Sequence, residues 1–375
     1  MTNTLSILIA ASLAGREWAP QTISQRATAT LADGVWGSVG YALLAVLAVS
    51  ALLTALGMSL IYFERKVAAR FQCRLGPMRV GPYGIFQTLA DTVKLLVKED
   101  FVPPLADKML HILAPFFALL VPVVILALIP YAPTAQVVDL NIGILFVTAV
   151  GGFGVMGTLL AGWSSNNKWS MIGAMRAGAQ IISYEVSATL ALLVIVMFSG
   201  TMSLSGIVQS QQEGWWVWRG HLAGMIAFVV YVIAATAELN RTPFDIPEGE
   251  SELTAGFHTE YSGLRFAFFF LAEFINMFTV SAIASTLFLG GWMPFHIGDW
   301  AAFNGVMDLI PPAVWFIGKT SAIIFLIMWF RWTFPRLRVD QLMHLEWKVL
   351  LPIGLVNLVI ASVTILSGAY PFPTP

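Results

Sequence analysis

Eight stretches of this 375-residue sequence are apolar for long enough to cross a bilayer: 37–63, 109–130, 142–163, 177–198, 222–238, 266–290, 312–332 and 347–368. Because an α-helix rises about 1.5 Å per residue, roughly 20 apolar residues bridge about 30 Å of hydrocarbon. A backbone in lipid must also satisfy its own hydrogen bonds, which a helix does within one segment. The expected fold is therefore an all-α integral membrane protein of eight transmembrane helices. A mean hydropathy of +0.78, with 58% hydrophobic residues, agrees with lipid as the main solvent. Residues 35–370 read as one eight-helix domain with cytoplasmic loops at 64–108, 164–176, 239–265 and 333–346, followed by a short tail at 371–375. Residues 1–34 read as an extension of unknown role, since "LSILIAASLAG" has a short apolar core and no preceding base, a poor secretory signal.

Charge settles the orientation. Lys and Arg are retained on the cytoplasmic side during insertion, and sixteen of the 20 basic residues fall in the first, third, fifth and seventh loops. Only Arg16, Arg26 and Arg219 fall outside, while Lys319 lies within a span, so the N-terminus is expected outside. A formal net charge of −1 carries no nucleic-acid signature. The single cysteine, Cys73, supplies neither a disulfide framework nor the clustered ligands of an iron–sulfur or zinc centre, so no metal site is expected in the chain. Redox centres must then belong to other chains.

The first inner loop contains "GPYGIFQTLADTVKLLVKED" (81–100), with Ile85, Phe86, Leu89, Val93, Leu96 and Val97 at helical spacing and Gln87, Asp91, Lys94 and Lys98 on the other side. That pattern suits an amphipathic helix in the interface plane; a solvated basic loop near lipid headgroups is the alternative. "GFGVMG" (152–157) is a literal G-x-G-x-x-G, but it sits in mid-span with no preceding strand. Gly151, Gly154, Gly157 and Ala161 instead read as small residues that let helices approach closely.

Acids at membrane depth are a different signal, because a buried carboxylate costs several kcal/mol unless protonated, paired or wetted. Glu185 and Glu273 fall within spans about nine and eight residues from their inner ends, and Glu238 closes the fifth span. That span leads into "ELNRTPFDIPEGESELTAGFHTEY" (238–261), which packs six acids, including Glu248, Glu250, Glu252 and Glu260, against one base, Arg241. Pro247 could open a helix that puts Glu248 and Glu252 on one face, where like charges raise one another's pKa. The acids then read as a proton relay from the inner surface to mid-membrane. Simple salt-bridging is the competing account, weakened for Glu185 and Glu273 because their spans contain no base. Basic groups flank the same side, with Arg70 and Arg74 after the first span and Arg331, Arg336 and Arg338 after the seventh. They suit either positive-inside anchoring or a cavity for an amphipathic ligand with a polar head and apolar tail.

Three motifs, "FERKVAARFQCRLGPMRVGPYGIFQTLADTVKLLVKED", the acidic stretch extended to "ELNRTPFDIPEGESELTAGFHTEYSG", and "PRLRVDQLMHLEWK", resemble the quinone-tunnel membrane subunits of respiratory complex I, the proton-pumping NADH:quinone oxidoreductase, over about 36–370. The resemblance implies eight transmembrane helices and a tunnel for a quinone, expected to be ubiquinone, whose tail threads beneath the interfacial helix. Flavin and iron–sulfur clusters would sit only in partner subunits. Expected partners are the hydrophilic-arm subunit bearing the terminal cluster, its quinone-site neighbour, small membrane subunits, antiporter-like subunits and membrane lipids, with no nucleic acid. Carried over position by position, the tunnel would include Glu64, Arg65, Asp91, Phe270, Arg331 and Arg336, and the proton path Glu185, Glu238, Glu248, Glu250, Glu252, Glu260 and Glu273. Two departures stand out: the long N-terminal extension, and Glu346 where a small or apolar residue is expected. A bacterial inner membrane is the expected location, a mitochondrial one the alternative. The rival reading, a self-contained secondary transporter, predicts an inverted repeat, and the acids of the fourth to sixth spans have no counterpart in the first three.

Overall fold

The computed structural model describes residues 35–247, 249–296 and 300–367, with the backbone alone for residues 35–39, 41, 42, 45, 250, 251 and 301. The readings of 1–34, of 371–375 and of Glu248 lie outside the described residues. The fold is all-α, with no strand among the described residues. In chain order the α-helices are α1 Val35–Phe71, α2 Gln87–Val97, α3 Lys108–Leu128, α4 Gly143–Ser164, α5 Lys168–Ser199, α6 Leu204–Gln209, α7 Trp216–Arg219, α8 His221–Glu238, α9 Glu250–Leu253, α10 Gly263–Phe288, α11 Ala301–Met307, α12 Pro312–Thr333, α13 Val339–Leu345 and α14 Leu351–Leu366. A π-helical turn, Glu346–Leu350, joins α13 to α14 without a break. Eight segments are long and apolar enough to span a membrane: most of α1, then α3, α4, α5, α8, α10, α12 and the continuous α13–α14 rod.

Three spans start or stop outside the expected bounds, each for a local reason. Helix α1 continues past residue 63 to Phe71, because "ERKVAAR" has good helix formers and no breaker before the turn at Cys73, whose φ is 53°. Glu64 and Arg65 therefore ride on a helix rather than in the 64–108 loop. Helix α5 starts at Lys168, where the Asn167 side chain accepts the Trp169 N–H at 3.0 Å, and ends at Gly200, whose φ of 68° suits a residue without Cβ. The eighth span opens at Val339, with the Gln341 side chain accepting the Arg338 N–H at 3.1 Å. Polar residues dilute the hydropathy of these inner turns without breaking the helix, so loops 164–176 and 333–346 are shorter than expected.

The small-residue positions of α4 do bring helices together. A Cβ on Gly157 would lie 2.8 Å from the Ala118 backbone of α3, and Ala161 is fully buried. Helix α2 keeps Leu89, Val93, Leu96 and Val97 exposed on one side while Arg65 holds Asp91 on the other, the arrangement of an amphipathic helix on an apolar surface.

The acidic loop departs from its expected form. Helix α9 is a single turn beginning after Gly249, whose φ and ψ of 13° and 61° are not helical, so Pro247 stands outside it.

Candidate functional site

Helix α8 ends at Glu238, and Asn240, with φ of 52°, takes the left-handed conformation that turns the chain back. That turn carries Arg241 into the protein, where only 2% of it is exposed. Its Nη1 donates to Glu64 Oε2 of α1 at 2.5 Å, and its Nε lies 2.8 Å from Glu273 Oε1 of α10. The guanidinium also sits 4.6 Å from the centre of the Phe274 ring. The other oxygen of Glu64 accepts from Arg331, at the inner end of α12. Two acids and two bases from four segments thus meet in one cluster, buried at Glu64 and Arg241 and half-buried at Glu273 and Arg331. The absence of a base within its own span does not leave Glu273 unpaired, because Arg241 folds back from the loop. Removing one partner of such a group leaves an uncompensated buried charge, at a cost of about 3–5 kcal/mol.

Around this cluster the remaining expected tunnel residues fall on one side of the molecule. Arg65 ion-pairs with Asp91, tying α1 to α2, and Gln87 approaches the same carboxylate at 3.4 Å. Arg336 Nη2 lies 2.8 Å from Asp245 Oδ2, and the Leu337 N–H donates to the Pro243 carbonyl at 3.0 Å, which seats the chain after α12 on the acidic loop. Phe270 continues the aromatic row of α10, with its ring 6.1 Å from Phe266 and 5.0 Å from Phe274. Arg70 and Arg74 remain exposed and outside the cluster.

A second constellation adjoins the first. Glu185 and Glu238 approach successive glycines of α4: a Cβ on Gly152 would lie 3.2 Å from Glu185 Oε1, and one on Gly151 would lie 3.9 Å from Glu238 Oε1. Gly151 and the first glycine of the false dinucleotide motif, Gly152, thus make room for carboxyls. Neither acid enters an ion pair among the described residues. Glu185 stands 17 residues after the start of α5 and lies beside Gly152, the neighbour of the glycine that Glu238 approaches. Between α3, α4, α5, α8 and α10 lies a cavity of about 90 Å³ lined by Glu238, Asn240, His258, Glu273, Asn276 and Thr158. It has room and polar partners for several waters. Glu273 therefore faces both the ion cluster, through Arg241, and this cavity.

The loop acids behave differently from the expected like-charge group. Arg176 of α5 donates to Glu252 at 2.8 Å and holds its carboxyl below the ordinary value, the opposite of mutual raising. Glu260 accepts from the Asn167 side chain at 2.6 Å, next to the cap of α5. The neighbouring Tyr261, stacked on His111 at 4.0 Å, has its hydroxyl pushed up to about 12 by burial. Lys319 serves neither group: its ammonium donates to the carbonyls of Leu289, Gly291 and Met293 at 2.6, 3.0 and 2.6 Å, beyond the far end of α10. Arg241 is the functional candidate that sequence reasoning passed over. Its signal was its isolation, one base among six acids.

Residues 43–362 match the family model described as NADH dehydrogenase. The H subunit of NADH-quinone oxidoreductase from Bacteroides fragilis is 51% identical over 348 residues, 93% of this chain and 97% of the relative. Its counterpart from Phocaeicola vulgatus is 54% identical over 306 residues, 82% of this chain and 86% of the relative. The one from Brevibacillus brevis is 47% identical over 330 residues, 88% and 95% of the two chains.

Proposed function

Because the chain belongs to the NADH dehydrogenase family as an H subunit of NADH-quinone oxidoreductase, a multi-pass membrane component of bacterial complex I, we propose that it lines the quinone path and converts charge changes at the quinone head into proton movement among its carboxyls. The tunnel comprises Glu64, Arg65, Asp91, Phe270, Arg331 and Arg336. The proton path comprises Glu185, Glu238 and Glu273, fed by the loop acids Glu248, Glu250, Glu252 and Glu260. The observation that carries this reading is Arg241, whose one guanidinium holds both Glu64 from the first group and Glu273 from the second. A charge arriving near Glu64 or Arg331 changes the field on Arg241, and hence on the carboxyl that faces the cavity beside Glu238. Ion pairing keeps the first group fixed, while the cavity supplies waters that let a proton pass between Glu273 and Glu238.

The quinone is ubiquinone in this reading, and its ring takes electrons from the terminal iron–sulfur cluster of a hydrophilic-arm subunit whose quinone-site neighbour covers the head. Flavin and the other clusters lie farther along that arm. The N-terminus faces the periplasm, small membrane subunits and lipid cover the exposed apolar faces, and the antiporter-like subunits receive the electrostatic signal.

Replacing Glu185 or Glu273 by Gln in the assembled enzyme should lower quinone reduction and proton pumping together. Wild-type coupled activity in both variants would take these residues out of the path.

A further inference from the structure

Helix α5 has a second polar face, turned away from Glu185. Gln180, Ser183, Tyr184 and Ser187 sit at i, i+3, i+4 and i+7, so they form one stripe about 10 Å long. At its inner end Gln180 Nε2 donates to the carbonyls of Ala237 and Phe244 at 2.7 and 2.8 Å, while its buried Oε1 has no partner. At its outer end Ser187 Oγ donates to Glu346 Oε1. Glu346 is completely buried, and its Oε2 has no partner. Between these ends Ser183 Oγ donates to the Ala179 carbonyl at 2.7 Å, and the Tyr184 hydroxyl donates to the Leu342 carbonyl at 3.2 Å. A cavity of about 300 Å³ lined by Arg176, Gln180, Ile246, Leu342 and Met343 opens at the inner end of the stripe.

We propose that Glu346 is a further proton-holding carboxyl of this chain, loaded from the inner surface beside Arg176 through water on this second face of α5. Three observations carry it. Two buried oxygens without partners stand at the two ends of one polar stripe, as atoms that water would satisfy. The cavity reaches the Gln180 side chain, so its wall stands next to the first of them. Glu346 opens the π-helical turn, an irregularity that frequently marks functional positions. A carboxylate buried with one donor and no ion pair among the described residues is too costly to keep charged at rest, so the neutral acid is the resting form. The titratable and charged groups on the elements around it are Lys168, Arg176, Tyr184 and Glu185 on α5, Asp340 and His344 on α13, and Lys348 in the turn itself; Lys168 and the last three are exposed. In each cycle Glu346 releases one proton to the water file and regains one, and no electrons move. The proposal rests on the proton-coupling function above and adds a route that bypasses Glu185 and Glu238.

The test is redox-induced infrared difference spectroscopy on the whole enzyme in its membrane, following the carbonyl stretch of protonated carboxyls. The expected result is a band that changes when quinone is reduced, disappears in Glu346→Gln and shifts in Ser187→Ala, with fewer protons pumped per electron in Glu346→Gln. Ser187→Ala keeps the acid and removes only its donor, so it carries the test if Glu346→Gln fails to assemble. A spectrum unchanged by the variants, or a Glu346 band indifferent to quinone reduction, overturns the proposal. Glu238→Gln run alongside separates the two ideas. If it abolishes pumping while Glu346→Gln leaves spectrum and stoichiometry intact, only the new route fails; if neither affects pumping, both fail.

Discussion

The Glu64–Arg241–Glu273–Arg331 cluster and the Glu185–Glu238 pair are neighbours built of the same acid, yet they solve burial in opposite ways. In the first, two guanidiniums hold Glu64 with its charge fixed, and Glu273, tied to Arg241, is the one member that also faces the cavity. In the second, both carboxyls lie against glycines and Glu238 lines a small polar cavity, so charge can come and go with a proton. The lesson is that an intramembrane acid is not by itself a proton carrier. What decides its role is whether a base from another part of the chain reaches it and whether it also opens onto a polar cavity.

The largest effect should come from removing the shared base. Arg241→Met leaves Glu64 and Glu273 without their common partner, at a cost of about 3–5 kcal/mol. Assembled enzyme should therefore fall severely on native gels. Arg241→Lys, which keeps the charge but cannot fork between two carboxylates, should assemble better and still reduce quinone slowly. Glu238→Gln tests the other side of the contrast. It should assemble normally, since no ion pair is lost, but pump protons slower by roughly tenfold or more; a gross assembly defect here would erase the distinction between the two regions. Next comes Gly152→Ala, whose Cβ at 3.2 Å from Glu185 Oε1 must push the carboxyl aside, against Gly151→Ala at 3.9 Å from Glu238 Oε1, an ordinary contact. Coupled activity should drop a few-fold in the former and stay near wild type in the latter.

The smallest effect concerns the exposed Arg176–Glu252 tie. Arg176 holds the Glu252 carboxyl below its ordinary value of 4.5, so the tie is fully present above that pH and is lost as pH falls through the lowered value. Limited proteolysis of the loop should show wild-type protection persisting somewhat below pH 4.5, and Arg176→Ala lacking it at all pH values. Salt should weaken this tie and leave the buried cluster untouched.

Much of the fold was legible because hydropathy acts over lengths of about 20 residues, which makes spans the strongest signal a membrane sequence carries. Span ends were read less well. Glu64 and Lys168 lie on helices because capping and helix propensity, not apolarity, decide where a helix stops. The intramembrane acids were visible from depth alone, but Glu273 was expected to lack a base, and Pro247 was expected to open a helix. Both errors have one source, the left-handed turn at Asn240 and the non-helical Gly249, which redirect the loop over short distances that periodicity cannot register.

Sequence by itself determined that this chain lives in lipid, how many times it crosses, and which side gathers its bases. Those properties sum over many residues and survive any detail of packing. Only the tertiary structure decided which acids are paired and which are open, because pairing depends on a few ångströms between Arg241 and residues 177 positions before it and 32 after it. An ion pair's energy falls off within that distance, and no linear pattern encodes it.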